Sequence, residues 1–320
     1  MKIPTPIASL LFLVLLALPA DAFDTPGHII VAKIAYDYLN PHARAKVDSL
    51  SAKMHLGTHT YNAVNIAGWA DQVKHLKSNQ DPFGGHFGDW HFIDLGLKPG
   101  GPDLIGHPPQ LTEKKGTIIE GLKLCEAVIV DQKSSPLVPS EEVALALIIH
   151  LVGDIHQPLH CITNYFDPKP DKGPGNDIGG NDVKVTNFTD KYPELHQFWD
   201  EGYKMTFDPE TKTLEAEPDW DPFSITPTSP ALVDMEAEVL KAKPTLSVTL
   251  EGDYYKTWAL ETYELGKTMG YGGLDPKDYD FPKLSVTIDR TYEENVKQVT
   301  QRQICLAGLR LAAVLDKLYP

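Results

Sequence analysis

The segment Ile148-Ile149-His150-Leu151-Val152-Gly153-Asp154-Ile155-His156-Gln157-Pro158-Leu159-His160 constrains this chain more than any other. Apolar residues recur at helical spacing over residues 141–157, behind a Ser140 cap and the acidic pair Glu141 and Glu142. His150 and Asp154 are four apart and therefore share one face of that helix, with Leu151, Val152 and Ile155 packing around them. The two polar groups head into a core, where an unpaired carboxylate is very costly. A hydrogen bond from His to Asp would satisfy them, and so would a metal ion. His160 lies beyond Pro158, where the helix must kink or end, and its extra ring nitrogen favours the metal.

Other segments repeat the theme. Leu195-His196-Gln197-Phe198-Trp199-Asp200 sets His196 and Asp200 four apart on another amphipathic helix. Alone it could be an ordinary ion pair, but zinc takes imidazole and carboxylate ligands, three or four to a site. Ala67-Gly68-Trp69-Ala70-Asp71 and Trp90-His91-Phe92-Ile93-Asp94 add a carboxylate and an imidazole in apolar surroundings; each could equally be a core or cap residue. At the start of the chain, Lys2, an apolar run over residues 10–18, Pro19 and Ala20-Asp21-Ala22 make a secretory signal cleaved after Ala22. The run is too short for the ~20 apolar residues of a spanning helix. Cleavage would leave a free α-amine and a carbonyl at Phe23, within a turn of Gly27-His28, and an uncharged α-amine can ligate zinc. His28, Asp71, His91, His150, Asp154, His160, His196, Asp200 and the Phe23 terminus suffice for three zinc ions if one carboxylate bridges.

The remaining histidines read differently. His55 with His59, and His156 with His160, mimic a two-histidine metal helix, but Gly57 interrupts the first pair and neither carries the Glu of a metalloprotease motif. His42, His75, His86 and His107 sit in polar or Gly/Pro-rich contexts. The expectation for this group is surface histidines.

Charge adds a constraint. With 29 Lys+Arg against 44 Asp+Glu the net charge is −15, so bulk charge cannot drive binding to nucleic acid; phosphate chemistry would need a local positive source such as bound metal. At 42% hydrophobic residues the chain has ample core material, which excludes global disorder.

Helical periodicity starts in residues 25–38, behind Asp24-Thr25-Pro26, and continues in residues 43–54, 65–76, 114–130, 141–157, 192–203, 230–241, 253–268 and 289–318. Residues 81–88, 98–109 and 167–180 read as loops, and 182–186 is the one convincing strand. With no repeat and no linker, the expectation is one all-α domain, residues 23–320, with a small β-hairpin. Three cysteines in an oxidising compartment predict one disulfide, assigned to Cys125 and Cys305, with Cys161 left over. Asn187-Phe188-Thr189 is an N-glycosylation sequon.

The order Gly27-His28, Trp69-Ala70-Asp71, His91-Phe92-Ile93-Asp94, residues 150–160 and residues 195–200 resembles the trinuclear-zinc, single-strand-preferring nucleases of fungi and plants, the S-one/P-one or class I family. The resemblance implies an all-α fold of the phospholipase C and class I nuclease kind, with zinc at the bottom of a cleft. It implies one zinc on Asp71, His91, His150 and Asp154, a second on Asp154, His28 and the Phe23 amine and carbonyl, and a third on His160, His196 and Asp200. A hydroxide between the first two metals is the implied nucleophile, while the third stabilises the departing 3′-oxygen. Phe92 would stack on a base and Asp94 hydrogen-bond its edge. Asp71, Lys74 and Asp154 are the implied catalytic residues. The implied activity is hydrolysis of single-stranded RNA and DNA to 5′-phosphorylated products, with 3′-nucleotidase activity, by a secreted monomer without a membrane anchor.

Two departures stand out. Phe23 replaces the family's usual Trp, which alters ring packing but not main-chain ligation. Lys74 stands where an Arg commonly holds the phosphate; it keeps the charge and loses the bidentate fork, so reduced turnover or altered preference is expected. A zinc phospholipase C would use a similar ligand set but places Glu at the position of Asp200 and has no use for Phe92 and Asp94. A secreted zinc-binding effector without turnover is the other alternative.

Overall fold

A computed structural model of the chain describes residues 23–74, 87–97, 116–166, 175–187, 194–204, 206–208, 213–215, 221, 223–243, 248–274, 279–280 and 284–320. The expected signal segment 1–22, the expected loop 98–109, residues 81–86 and 167–174 of the other two expected loops, and His75, His86 and His107 lie outside them.

The first helix, α1 (Thr25–Tyr38), begins where Asp24 caps the Gly27 amide at 3.1 Å and Pro26 supplies a pre-set φ. It stops because Pro41 forces Asn40 into an extended conformation, φ −61 and ψ 158. Asn40 then caps α2 (Pro41–Ser51), its Oδ1 accepting from the amides of His42 at 2.9 Å and Ala43 at 2.8 Å. After a 3-10 turn over Asn65–Gly68 come α3 (Trp69–Lys74), α4 (Ile118–Asp131) and α5 (Glu141–Asp154). The chain continues through α6 (Leu195–Asp200), α7 (Pro230–Leu240), α8 (Tyr254–Leu265) and α9 (Arg290–Leu318).

Ser140 caps α5 through the Val143 amide, and every residue from Val143 to Asp154 is buried. From Val143 on this helix has no solvent face, so it is the centre around which the others pack. Its Val, Leu and Ile side chains each contribute about 1.5–3 kcal/mol by leaving water. On its flanks lie α4, α2 and α3, while α1 and α9 pack most extensively on each other. The α1–α2 junction is tied to the far end of the chain, with the Asn40 amide donating to Asp316 at 3.0 Å and the His42 ring meeting the Pro320 carbonyl at 2.7 Å. Among the described residues no helix is long and apolar enough to cross a membrane.

The fold is mostly helical, as expected, with several differences. Helices α2, α5, α6 and α8 each end three residues before their apolar periodicity does, whereas α1 and α9 end where expected and α4 runs one residue further. Beyond α8 the chain adds a π-helical turn over Gly266–Tyr271. Strand structure is more distributed than the single stretch read from alternation. Lys184–Val185 pairs in parallel with Ser285–Val286, which pairs in turn with Tyr279–Asp280. Gly96–Leu97, Thr163–Phe166 and Gly175–Asn176 form a second small sheet, and Thr206–Asp208 pairs with Thr213–Glu215. His55 and His59 sit on the two arms of a hairpin across Gly57-Thr58 and are exposed, as is His42. Ladders of two or three residues are too short to show alternation.

The expected bridge between Cys125 and Cys305 is corrected: both are free thiols, buried like Cys161. Cys125 on α4 shares its electrostatic surroundings with Tyr255 of α8, whereas Cys305 on α9 feels Lys243, just beyond α7. The two face different neighbours. His156 is likewise no surface residue. It is fully buried, with Nδ1 2.7 Å from the Val152 carbonyl and Nε2 accepting from Arg310 Nη1 at 3.0 Å.

Candidate metal centre

Eight of the predicted side chains converge. His28 comes from α1, Asp71 from α3, His91 from a 3-10 turn over Gly88–His91, and His150 and Asp154 from α5. His160 comes from the turn Pro158–Cys161, and His196 and Asp200 from α6. All eight are buried. They form three groups, His28 with His150 and Asp154, Asp71 with His91 and His150, and His160 with His196 and Asp200, each with ligating atoms within 4.8 Å of one another.

In the first region four atoms face a common point. His91 Nδ1 lies 3.0 Å from both Asp154 Oδ2 and His150 Nε2, and His150 Nε2 lies 3.3 Å from Asp154 Oδ2. Asp71 Oδ1 is 3.5 Å from His150 Nε2 and 3.6 Å from His91 Nδ1. A tetrahedron of ligands at about 2.0–2.1 Å from zinc has edges of about 3.3 Å, and these distances scatter around that value. The donor set fits the ion.

Asp154 serves two groups at once. While Oδ2 faces His91 and His150, Oδ1 lies 3.2 Å from His28 Nε2, whose ring stacks on His150 at a centroid distance of 3.9 Å. Neither oxygen of this fully buried carboxylate has an aligned hydrogen-bond donor. Such an arrangement is unfavourable unless a cation shares it. The close approach of α1 and α5 needs Gly153, since a Cβ there would stand 2.6 Å from His28 Nδ1.

The third group is diagnostic in its tautomers. His160 Nδ1 lies 2.6 Å from the His91 carbonyl, and His196 Nδ1 lies 2.7 Å from the Gly179 carbonyl. A carbonyl only accepts, so both rings carry their proton on Nδ1 and present a bare lone pair at Nε2. These two Nε2 atoms face each other at 2.9 Å, a repulsive contact that a metal ion turns into ligation. His150 is oriented in the same way, its Nδ1 2.6 Å from the Ala67 carbonyl. Asp200 Oδ1 lies 3.8 Å from His196 Nε2.

Burial drives the His91 ring down to about 4 and His196 down to about 3, and it lowers His160 as well; Lys74 adds to the effect on His91 and His160 adds to that on His196. These three rings are neutral, the form that ligates. Burial alone would raise Asp71 and Asp154 and lower His150, but their mutual attraction prevails. The carboxylates fall well below their usual range and the imidazole rises.

Around the ligands sit the other predicted residues. Lys74 Nζ is 2.7 Å from Asp71 Oδ1 and keeps 14% of its side chain exposed. Phe92 and Asp94 are partly buried in an extended segment in which the Ile93 amide donates to the His160 carbonyl at 2.8 Å. Phe23 is buried, its ring edge-on to His28 and Tyr203 at 6.5 Å each. The Asn187 side chain is engaged with Ile288, Nδ2 donating to its carbonyl at 2.7 Å; Phe188 and Thr189 lie outside the described residues.

Sequence reasoning missed the supports. Gln157 Nε2 donates to Asp200 Oδ1 at 2.5 Å while its Oε1 accepts from the Leu159 amide, so one amide fixes the third group's carboxylate to the turn bearing His160. Its position directly before Pro158 was the available signal. The Gly179 carbonyl is presented by Ile178, Gly179 and Gly180, at φ 53, 59 and 88. Consecutive positive φ values are what glycine supplies, and the Gly-Gly pair marked the spot without revealing its partner.

Among known protein families, residues 23–320 match S1/P1 Nuclease. Nuclease S1 of Aspergillus oryzae is 27% identical over 177 residues, which span 54% of this chain and about half, 52%, of that protein. Endonuclease 2 of Arabidopsis thaliana is 24% identical over 304 residues, 92% of this chain and 89% of that protein.

Proposed function

Since the chain belongs to the S1/P1 nuclease family, we propose that it is a secreted, three-zinc hydrolase that cleaves phosphodiester bonds of single-stranded RNA and DNA to 5′-phosphorylated products, and that it also removes 3′-phosphates from nucleotides. The observation that carries this reading is the trio of donor clusters, with Asp154 shared between two of them and two imidazole lone pairs opposed in the third. Phosphoryl transfer asks for positive charge at both the attacking and the leaving oxygens. Bound in these clusters, zinc would supply that charge and lower the pKa of water.

The chain's own residues supply the rest. Asp154 holds the first two positions at a fixed separation because its carboxylate faces both. Lys74, anchored on Asp71 and partly exposed, meets a phosphate oxygen with its ammonium. Phe92 gives a base a stacking face, and Asp94 beside it takes the base edge, which selects unpaired nucleotides because a stacked duplex does not offer that face. Secretion follows cleavage after Ala22, making residues 23–320 the active domain with Phe23 at its start. The net charge of −15 leaves binding to depend on this site rather than on a basic surface.

The test is digestion of single-stranded RNA by the purified protein, with and without a chelator, with products separated by chromatography. Chelator-sensitive release of 5′-mononucleotides is expected. A protein that retains its zinc and releases none overturns the proposal.

A further inference from the structure

The N-terminal end of the described chain is held by a group of residues that the reaction does not call on. Asp24 Oδ1 accepts from the Gly27 amide at 3.1 Å and from the Tyr203 hydroxyl at 2.7 Å, and Asp24 Oδ2 pairs with the Lys204 ammonium. Lys204 is also 3.0 Å from Glu201 and only 11% exposed. Tyr203 and Lys204 belong to the turn Gly202–Lys204 directly after α6, and that turn is seated on α9, where Gln301 Nε2 donates to the Tyr203 carbonyl at 3.0 Å. Gly202 leaves no gap in this seat, since a Cβ there would stand 2.5 Å from Val296. On the other side, a Cβ at Gly27 would stand 2.8 Å from Phe23 Cβ and 3.1 Å from the Tyr203 ring.

Residues 23 and 24 are thus pinned one turn before His28, whose Nε2 lies 3.2 Å from Asp154. An N-cap by itself needs only the Asp24 carboxylate and an amide. The additional hydroxyl and largely buried ammonium, both brought from the turn after α6, exceed what capping requires. Through Asp24 they tie the start of α1 to the turn that follows α6, whose last residue is Asp200.

We propose that Asp24, Tyr203 and Lys204 form a clamp that positions the Phe23 main chain and His28 for the second metal position, and that Lys204 is the positioning residue on which it closes. This rests on the three-zinc reading above. Lys204 touches no ligand; it acts through Asp24. The clamp joins the second and third positions mechanically, because only Glu201 separates the turn that grips Asp24 from Asp200.

The test is zinc retention, measured by elemental analysis after dialysis of the full-length protein's secreted product against graded chelator. Wild type, Lys204→Met, Lys204→Arg and Asp24→Asn are compared. Loss of an outer support of a ligand typically weakens metal affinity 10–100-fold. Lys204→Met is therefore expected to lose one zinc equivalent at a 10–100-fold lower chelator concentration, with the others held as in wild type and Lys204→Arg restoring retention. Asp24→Asn keeps the cap and the tyrosine contact but removes the ion pair, and is expected to match Lys204→Met even if that variant cannot be recovered. Retention identical to wild type in Asp24→Asn and Lys204→Met, or uniform loss of all zinc, overturns the clamp. Wild type that holds no zinc overturns the metal reading itself.

Discussion

Gly153→Ala sets two effects of opposite sign against each other. Gly153 lies inside α5, where Ala is favoured over Gly by about 1 kcal/mol from backbone entropy alone. The added Cβ, however, would stand 2.6 Å from His28 Nδ1, whereas ordinary contact begins at 3.4 Å, so the ring must retreat by 3.4 − 2.6 = 0.8 Å. This ring is fully buried, stacked on His150 and 3.2 Å from Asp154, and cannot swing into solvent. Overpacking of this kind costs about 1–3 kcal/mol, which exceeds the helix-propensity gain. The expected net loss is on the order of 1 kcal/mol, or about 1.5 °C in Tm for a chain of this size. Because the retreat separates His28 from Asp154, zinc should also be lost about tenfold more readily. Thermal unfolding with and without zinc, combined with zinc retention against chelator, reads both effects. A variant with raised Tm and unchanged retention refutes the reasoning, because His28 would then be yielding freely rather than held.

Three further outcomes are expected. Lys74→Arg should raise kcat on single-stranded RNA severalfold by restoring a bidentate grip on phosphate; an unchanged rate removes Lys74 from the site's chemistry. Asp94 is pushed up to about 6 by burial, then by Asp177 and Asp89. Since the unfolded carboxyl titrates near about 3.9, charged Asp94 opposes folding above about pH 6, and the penalty fades as pH falls toward about 4. Asp94→Asn should therefore be more stable than the parent near about pH 7.5, by up to about 3 kcal/mol, and no more stable near about pH 4; an equal gain at both sinks this account. The free thiols make a third case. Burial pushes Cys125 and Cys161 above their ordinary range and Cys305 up to about 11, so the native protein should resist alkylation. Unreduced, denatured chain should label at all three cysteines, and labelling at one alone would restore the bridge.

Much of the site was legible because its residues break the pattern of their surroundings. His150 and Asp154 interrupt an apolar helix at a four-residue interval, and a polar pair in that position must answer to something buried with it. Asp71 and His91 were individually ambiguous, since each sits in a short apolar context that suits a core or cap residue equally well, and His196 with Asp200 could have been an ordinary ion pair; only convergence across α3, α5, α6 and two 3-10 turns separates the readings. The supports were invisible for a different reason. The Ala67, His91 and Gly179 carbonyls are main-chain atoms with no residue type to betray them, and the Lys204 to Asp24 pair spans most of the chain. His156 was misjudged because its partner Arg310 lies 154 residues away. For the disulfide, cysteine count and compartment predict pairing, but which side of α4 and α9 each thiol faces is set by packing that periodicity does not resolve.

The pairing of α1 with α9 has a consequence for how this chain is made. Ile29, Ile30 and Ile34 of α1 are fully buried, and α9, on which α1 packs most extensively, is synthesised long after it. Until residues 290–318 have been synthesised, α1 lacks its largest apolar partner. Closing so long a loop is slow, and the exposed surface meanwhile invites aggregation. His28 rides on α1, so its place beside Asp154 is settled only once α9 is in position. A product truncated before α9 is therefore more than a shortened enzyme. It leaves the first helix unsheltered and the centre between α1 and α5 unassembled, a state that quality control can recognise by exposed surface alone.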